Sequence, residues 1–288
     1  MTLLEKNFVG GRWKGGADEL DIRNPSDLDE SAGRYGLATI ADVEEAFAAA
    51  RKAQPGWRAA TPEQRSIVLE NIAQGIFARK DELARIMSLE GGKTIPDALG
   101  EIIRAGNIAR FFAGEALRVS GEKIASVRPG VEVEITREPV GVVGLITPWN
   151  FPIAVSLWKI SPALAYGNAI VWKPSEKTPG ISAAIAEIVA AAGVPEGVFN
   201  MVLGYGADIG AAVVEQADAV SFTGSAATGR RIAVRCAERL VRVQLEMGGK
   251  NPLVVLDDAD LDLAVELAVN GAYFQAGQRC TASSRLIV

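Results

Sequence analysis

Apolar and polar positions change period along the chain. Val43, Ala46, Phe47 and Ala50 recur at helical spacing behind Thr39 and Asp42, which predicts a capped amphipathic helix. Thr61, Pro62 and Gln64 supply an N-cap, a first-turn proline and a capping-box partner. Leu69, Ile72, Ala73 and Ile76 then mark the face that helix buries. The pattern continues over 81–90, where Gly91 and Gly92 offer a left-handed cap, and a longer helix is expected over about 97–117. The first third therefore reads as helices. Val131, Val133 and Ile135 alternate instead, predicting an exposed ribbon strand that needs a partner edge, for example from another subunit.

From Val140 onward, short apolar runs alternate with helical segments. Strands are expected at 140–146, 169–172, 199–203, 219–222, 241–245 and 252–256. Helices are expected after Pro152 and at 178–192, 207–214, about 228–239 and 261–274. Repeated strand–helix units predict an α/β fold: a Rossmann-like parallel sheet with helices on both faces and a ligand at the strands' carboxyl ends. Residues 285–288 start a further strand, which requires an earlier edge or a longer polypeptide.

Composition narrows the partners. The 288 residues are 49% apolar and 23% charged, enough to build a large core. The net charge of −5 and the lack of a dense basic run argue against nucleic acid and anionic membranes; Arg230 and Arg231 read as a solvated helix face. Pro148, Pro152 and Glu187 interrupt the longest weakly charged stretches, so no membrane span is expected. The N-terminus MTLLEKNFVGGRW is charged where a secretory signal would be apolar. Two cysteines cannot form a disulfide framework, so the expected compartment is the cytoplasm.

The chain contains no histidine, which removes Ser-His-Asp and Cys-His pairs and every histidine metal site; no metal is expected. Cys236 lies on a helical pattern and reads as packing. Cys280 stands in FQAGQRCTASSR, among residues that suit a loop better than a core. A lone cysteine is otherwise read as a small buried hydrophobe. If Cys280 is a nucleophile, a carboxylate must handle its protons, and Glu246 in QLEMGGKNP is the candidate. Gly248 and Gly249 after it would let it swing between positions.

Three strand ends carry further signals. Leu203-Gly204-Tyr205-Gly206 opens a turn close to, but not matching, a dinucleotide fingerprint; it reads equally as a tight turn. Phe222-Thr223-Gly224-Ser225, with Gly229 beyond, reads either as an anion site at a helix N-terminus or as a helix capped by Ser225. Lys173 and Glu176 read either as a grip on ribose hydroxyls or as a surface ion pair.

Together these segments resemble the aldehyde dehydrogenase superfamily, from Phe8-Val9-Gly10-Gly11 to the last residue. The motifs are Glu138-Pro139-Val140-Gly141, Thr147-Pro148-Trp149-Asn150-Phe151-Pro152, Lys173-Pro174-Ser175-Glu176, Phe222-Thr223-Gly224-Ser225, Leu245-Glu246-Met247-Gly248-Gly249-Lys250-Asn251-Pro252 and Gly277-Gln278-Arg279-Cys280. The resemblance implies NAD(P)-dependent oxidation of an aldehyde to a carboxylic acid. Cys280 would be the nucleophile, Glu246 the base that activates water, and Asn150 with the Cys280 N–H the oxyanion donors. It implies dinucleotide contacts from Ile146, Thr147, Pro148, Trp149, Lys173, Ser175, Glu176, Gly206, Gly224, Ser225, Gly229 and Met247. Glu176 favours NAD over NADP, because a carboxylate repels a 2′-phosphate.

The resemblance further implies a nucleotide-binding domain over 1–119 and 140–245, an oligomerisation strand over 120–139, and the start of a catalytic domain over 246–288. A homodimer or homotetramer is implied for a full-length form. Family chains continue well past Val288, so the 288 residues alone are expected to turn over little. The stretch Glu115-Ala116-Leu117-Arg118 and the motif around Glu246 are similar to bacterial members acting on α-ketoglutarate semialdehyde. Trp158, where succinate semialdehyde enzymes carry an arginine, counts against that substrate. The alternatives are a CoA-acylating or phosphorylating relative, which Glu246 argues against, and a nucleotide-binding remnant without chemistry.

Overall fold

The computed structural model describes residues 7–288; the charged stretch 1–6, read above against a secretory signal, lies outside the described residues. At its start the chain departs from the helical reading. Four strands, β1 (Asn7–Val9), β2 (Arg12–Lys14), β3 (Asp18–Asn24) and β4 (Asp27–Leu37), precede the first helix. β3 and β4 form an antiparallel hairpin. Asp18, Glu19, Asp21, Asp27, Asp29 and Glu30 crowd its outer positions, and few apolar residues, such as Ile22, Tyr35 and Leu37, point inward. That sparse alternation hides the strands from a periodicity reading.

Helices α1 (Ile40–Ala59), α2 (Pro62–Ala78), α3 (Lys80–Gly91) and α4 (Ile95–Ala116) follow. Thr39 with Asp42, and Thr61 with Gln64, close reciprocal capping boxes on α1 and α2. Gly92, at φ 67°, ends α3 in the left-handed conformation. The ribbon is a hairpin of β5 (Glu122–Ala125) and β6 (Glu132–Ile135), antiparallel and exposed along its whole length. β6 thus finds a partner edge within its own chain.

The alternating part supplies β7 (Val142–Ile146), α5 (Ala154–Ala165), β8 (Ala169–Lys173), α6 (Pro179–Ala191) and β9 (Phe199–Met201). A π-helical turn, Gly206–Gly210, then leads into α7 (Ala211–Gln216), β10 (Ala219–Gly224), α8 (Ala226–Glu238) and β11 (Arg242–Met247). The sheet order is β11-β10-β7-β8-β9-β1-β2. The first five strands are parallel; β1 and β2 extend the sheet antiparallel. Strand order reverses between β7 and β10, and a crevice is expected at the carboxyl ends beside such a switch point.

Strand residues alternate between two cores. Val143, Leu145, Ile170 and Trp172 pack with α2, α4, α5 and α6 residues such as Leu69, Ile102, Leu157 and Ile185. Val142, Ile146, Ala169 and Val171 face Phe47, Val213, Ile232 and Cys236 on the other side. The sheet is therefore covered on both faces, as continuous apolar runs require. The remainder, β12 (Asn251–Val254), α9 (Leu261–Tyr273), a 3-10 turn Phe274–Gly277 and β13 (Ser283–Ile287), stands beyond the sheet. β13 pairs parallel with β12, so the final strand takes an earlier edge. No helix among the described residues is long and apolar enough to cross a membrane.

Candidate active site

Cys280 lies in the loop before β13. The 3-10 turn ahead of it holds Gln275 and Ala276 at φ 53° and 54°, a conformation that non-glycine residues adopt at a cost in strain. Side chains directed at backbone carbonyls fix this loop. Asn150 Nδ2 donates to the Gln278 carbonyl at 2.9 Å, and Asn251 Nδ2 donates to the Cys280 carbonyl at 2.7 Å. Arg279 Nη2 donates to the Gly271 carbonyl at 2.9 Å at the end of α9, and its guanidinium lies over the Phe274 ring. The Cys280 side chain is left exposed.

A cavity of about 1150 Å³ opens along the sheet face beside α5. Cys280 and Glu246 both line it, with Thr223, Gln244, Lys159 and Trp158 among their neighbours. The fold thus brings together the sulfur and the carboxylate that lie far apart in sequence. Glu246 sits near the carboxyl end of β11, where its Oε1 accepts from Gln244 Nε2 at 2.8 Å. Asn150 joins them through the Gln278 carbonyl, which takes one N–H of its amide two residues short of Cys280.

Lys159 is a group that the sequence motifs do not single out. It is buried, and its Nζ donates to Ser221 Oγ at 2.6 Å and to Gln244 Oε1 at 3.1 Å. Burial pushes its ammonium down to about 8, against the opposing pull of the Glu246 charge. A lysine in the apolar helix AVSLWKISPALA was the available signal; such a charge needs internal partners.

The other expected contacts lie along the carboxyl edge. Lys173 ends β8, and its Nζ meets Glu176 Oε2 at 3.0 Å. Burial lowers the Lys173 pKa, with the Glu176 charge working against it. Burial works most strongly to raise Glu176, but the Lys173 charge, the hydrogen bonds it accepts from its own backbone N–H and from Lys173, and the Lys177 charge together hold the carboxyl below its usual range.

Ser225 caps α8, its Oγ accepting from the Thr228 N–H at 3.3 Å. Gly224 ends β10, and Gly206 opens the π-turn with open space where a Cβ would stand. A Cβ on Gly229 would come within 2.5 Å of Met247 Sδ, so glycine is what lets the end of β11 lie against α8. Trp149 lies under the Lys177 ammonium, 5.3 Å from the ring centre, beside half-buried Pro148. Ser175 Oγ accepts from the Lys177 N–H at 3.2 Å. Ile146 is buried. Thr147 Oγ1 accepts from Trp172 Nε1 at 2.9 Å and meets Ser156 Oγ at 3.2 Å, so its hydroxyl serves the core. Among the described residues no three His, Cys, Asp or Glu side chains gather as metal ligands.

Residues 13–288 match the Aldehyde dehydrogenase family. The chain is 42% identical to the alpha-ketoglutaric semialdehyde dehydrogenase of Bacillus subtilis, over 98% of this chain and 59% of that protein. It is 43% identical to the 2,5-dioxopentanoate dehydrogenase of Saccharolobus solfataricus, over 98% of this chain and 61% of that protein. The crystal structure of betaine aldehyde dehydrogenase from Staphylococcus aureus in complex with NAD+ superposes with a TM-score of 0.95 at 40% identity, covering 99% of this chain and 57% of that one. The chain thus spans about three-fifths of the length of these relatives.

Proposed function

The chain belongs to the aldehyde dehydrogenase family, and from that premise we propose that it carries the thiol and the carboxylate of an NAD(P)-dependent oxidation of an aldehyde to a carboxylic acid. The observation that carries this reading is the shared cavity of Cys280 and Glu246. The Cys280 thiol gives its proton to Glu246, which passes it to solvent, and Sγ bonds to the aldehyde carbon while the carbonyl oxygen takes the negative charge. The Cys280 backbone N–H and the second N–H of Asn150 would face that oxygen; removing one such donor typically raises a barrier by about 3 kcal/mol. Glu246 then takes a proton from water, whose oxygen bonds to the acyl carbon as the C–S bond breaks and the thiolate leaves. Glu246 favours water over phosphate or CoA as the acyl acceptor.

The dinucleotide, when bound, supplies the hydride acceptor for the change in oxidation level. The donor set suits it. Lys173 and Glu176 form an ammonium–carboxylate pair for ribose hydroxyls at the end of β8. The N-terminus of α8, with Gly224, Ser225 and Gly229, offers N–H groups to a pyrophosphate. Gly206 leaves room for an adenine, and Ile146, Thr147, Pro148, Trp149, Ser175 and Met247 complete the edge. The Glu176 carboxylate favours NAD. The relatives favour a semialdehyde substrate of the 2-oxoglutarate type. The domain division is 1–119 with 140–245, 120–139, and 246–288. The exposed β5–β6 hairpin serves as an oligomer contact in the cytoplasm.

The test is a single-turnover mixture of protein, NAD+ and 2,5-dioxopentanoate, read as NADH formed and as acyl adduct on Cys280 by mass. Glu246→Gln should hold the acyl adduct, and Cys280→Ser should form neither product. NADH from the Cys280→Ser protein would overturn the assignment.

A further inference from the structure

A cation that the reaction described above does not use packs over one of the residues lining the cavity. Arg104 stands on the outer face of α4, exposed, with its guanidinium 4.8 Å from the centre of the Trp158 ring. Trp158 is 46% exposed and lines the cavity that Cys280 and Glu246 share. The placement is built from beneath. One turn before Arg104, the buried Glu101 carboxylate accepts from the Ile153 and Ala154 N–H groups at 3.1 and 3.0 Å, and its other oxygen pairs with Lys93. That anchor sets α4 against the first turn of α5. Arg104 follows Glu101 by one turn as Trp158 follows Ala154, so the two meet at the same level.

No hydrogen bond or ion pair among the described residues engages the Arg104 guanidinium. Its N–H edges stay free, and a planar fork of that kind matches a carboxylate with two parallel hydrogen bonds. Among the described residues Arg104 has no carboxylate partner. Three other cations line the cavity and suit a distal carboxylate less well: Arg137 stands five residues before β7, on the amino side of the strands, away from Glu246 at the carboxyl end of β11. Lys159 is committed to Ser221 and Gln244. Arg242 stands at the opposite end of β11 from Glu246, four residues away, which is about 13 Å of strand.

We infer that Arg104, packed over the Trp158 ring, is the specificity-determining residue that recognises the distal carboxylate of a short ω-oxo acid whose aldehyde carbon lies at Cys280. The inference rests on the proposed function, since it takes Cys280 as the aldehyde acceptor. The substrate class is then an aldehyde bearing a carboxylate at its far end. A neutral aldehyde of the same length reaches the sulfur without the second anchor.

The experiment measures protection of Cys280 from iodoacetamide in the 288-residue protein, read by peptide mass, with 5-oxopentanoate or pentanal as the protecting aldehyde. Cys236 is buried and serves as the internal reference. The oxo acid should half-protect at a concentration roughly tenfold or more below pentanal, the size of a charge-assisted contact. Arg104→Gln should bring the two within about threefold and leave pentanal unchanged; Arg104→Lys should keep part of the preference, since it keeps the charge without the fork. Equal protection by both aldehydes in the unaltered protein overturns the role of Arg104 while leaving Cys280 as aldehyde acceptor. An undiminished acid preference in Arg104→Gln overturns it too, by assigning the carboxylate to another cation. Protection by neither aldehyde overturns the reading of Cys280, and the inference with it.

Discussion

The centre of the parallel sheet and the segment after it are packed in opposite ways. Every residue of β7 and β8 is buried, whereas α9 buries none. Yet the candidate site draws on both: Lys173 and Asn150 come from the sheet and its loops, and Cys280 from the open segment. A closely packed scaffold fixes its side chains through apolar neighbours. The open segment fixes Cys280 by polar contacts to carbonyls, from Asn150, Asn251 and Arg279. Asn150, in the loop after β7, is the one of these three that comes from the sheet region, so it ties the Cys280 loop to the packed scaffold.

The comparison is broken most forcefully in the sheet. Trp172 is fully buried, packs near Phe199 and donates its indole N–H to Thr147. Trp172→Ala leaves a large void and removes that donor, so it should destabilise the protein by about 3–5 kcal/mol in urea denaturation. A loss below about 1 kcal/mol would mean that the sheet region is not the stable part of the molecule.

Sequence alone was sufficient for the parallel strands from β7 onward, where short apolar runs alternate with helical segments. The strand ends at Lys173 and Gly224 and the capping boxes at Thr39 and Thr61 were readable from residue chemistry. The opening strands were not, because β3 and β4 put acidic residues at most outward positions and bury few apolar ones. At the site, the absence of histidine pointed to Cys280 and Glu246. The inward turn of Thr147, the partners of Lys159 and the stacking of Arg104 on Trp158 depend on which helix packs where, and no local pattern carries that.

A smaller effect comes from a buried acid in the sheet region. Glu90 accepts from the Gly180 and Ile181 N–H groups at the start of α6, at 2.6 and 3.0 Å. Burial pushes its carboxyl up to about 7 from an ordinary 4.5, with those N–H groups working against the shift. The folded state therefore holds a proton that the unfolded chain has released. Its contribution is full below pH 4.5 and is lost as pH rises through about 7. The loss is at most roughly 3 kcal/mol, and Glu90→Gln should remove that slope from urea midpoints measured across the window. An unchanged slope would mean that the acid is ionised throughout.

The smallest effect is expected where the packing is thinnest. Leu267 on α9 is 50% exposed, and Leu263 and Val269 on the same helix are as open. A side chain already in water loses little on truncation, so Leu267→Ala should change stability by less than about 0.5 kcal/mol, against several for Trp172→Ala. Adjacent exposed apolar residues usually mark a contact surface, however, and contact between copies would change this result. A loss above about 1.5 kcal/mol that grows with protein concentration would show that α9 is covered by a second molecule in solution. A loss of that size independent of concentration would place α9 in the core and end the distinction between the two regions. A near-zero value at every concentration is the result expected of an open α9, and it leaves the contrast between the two regions standing.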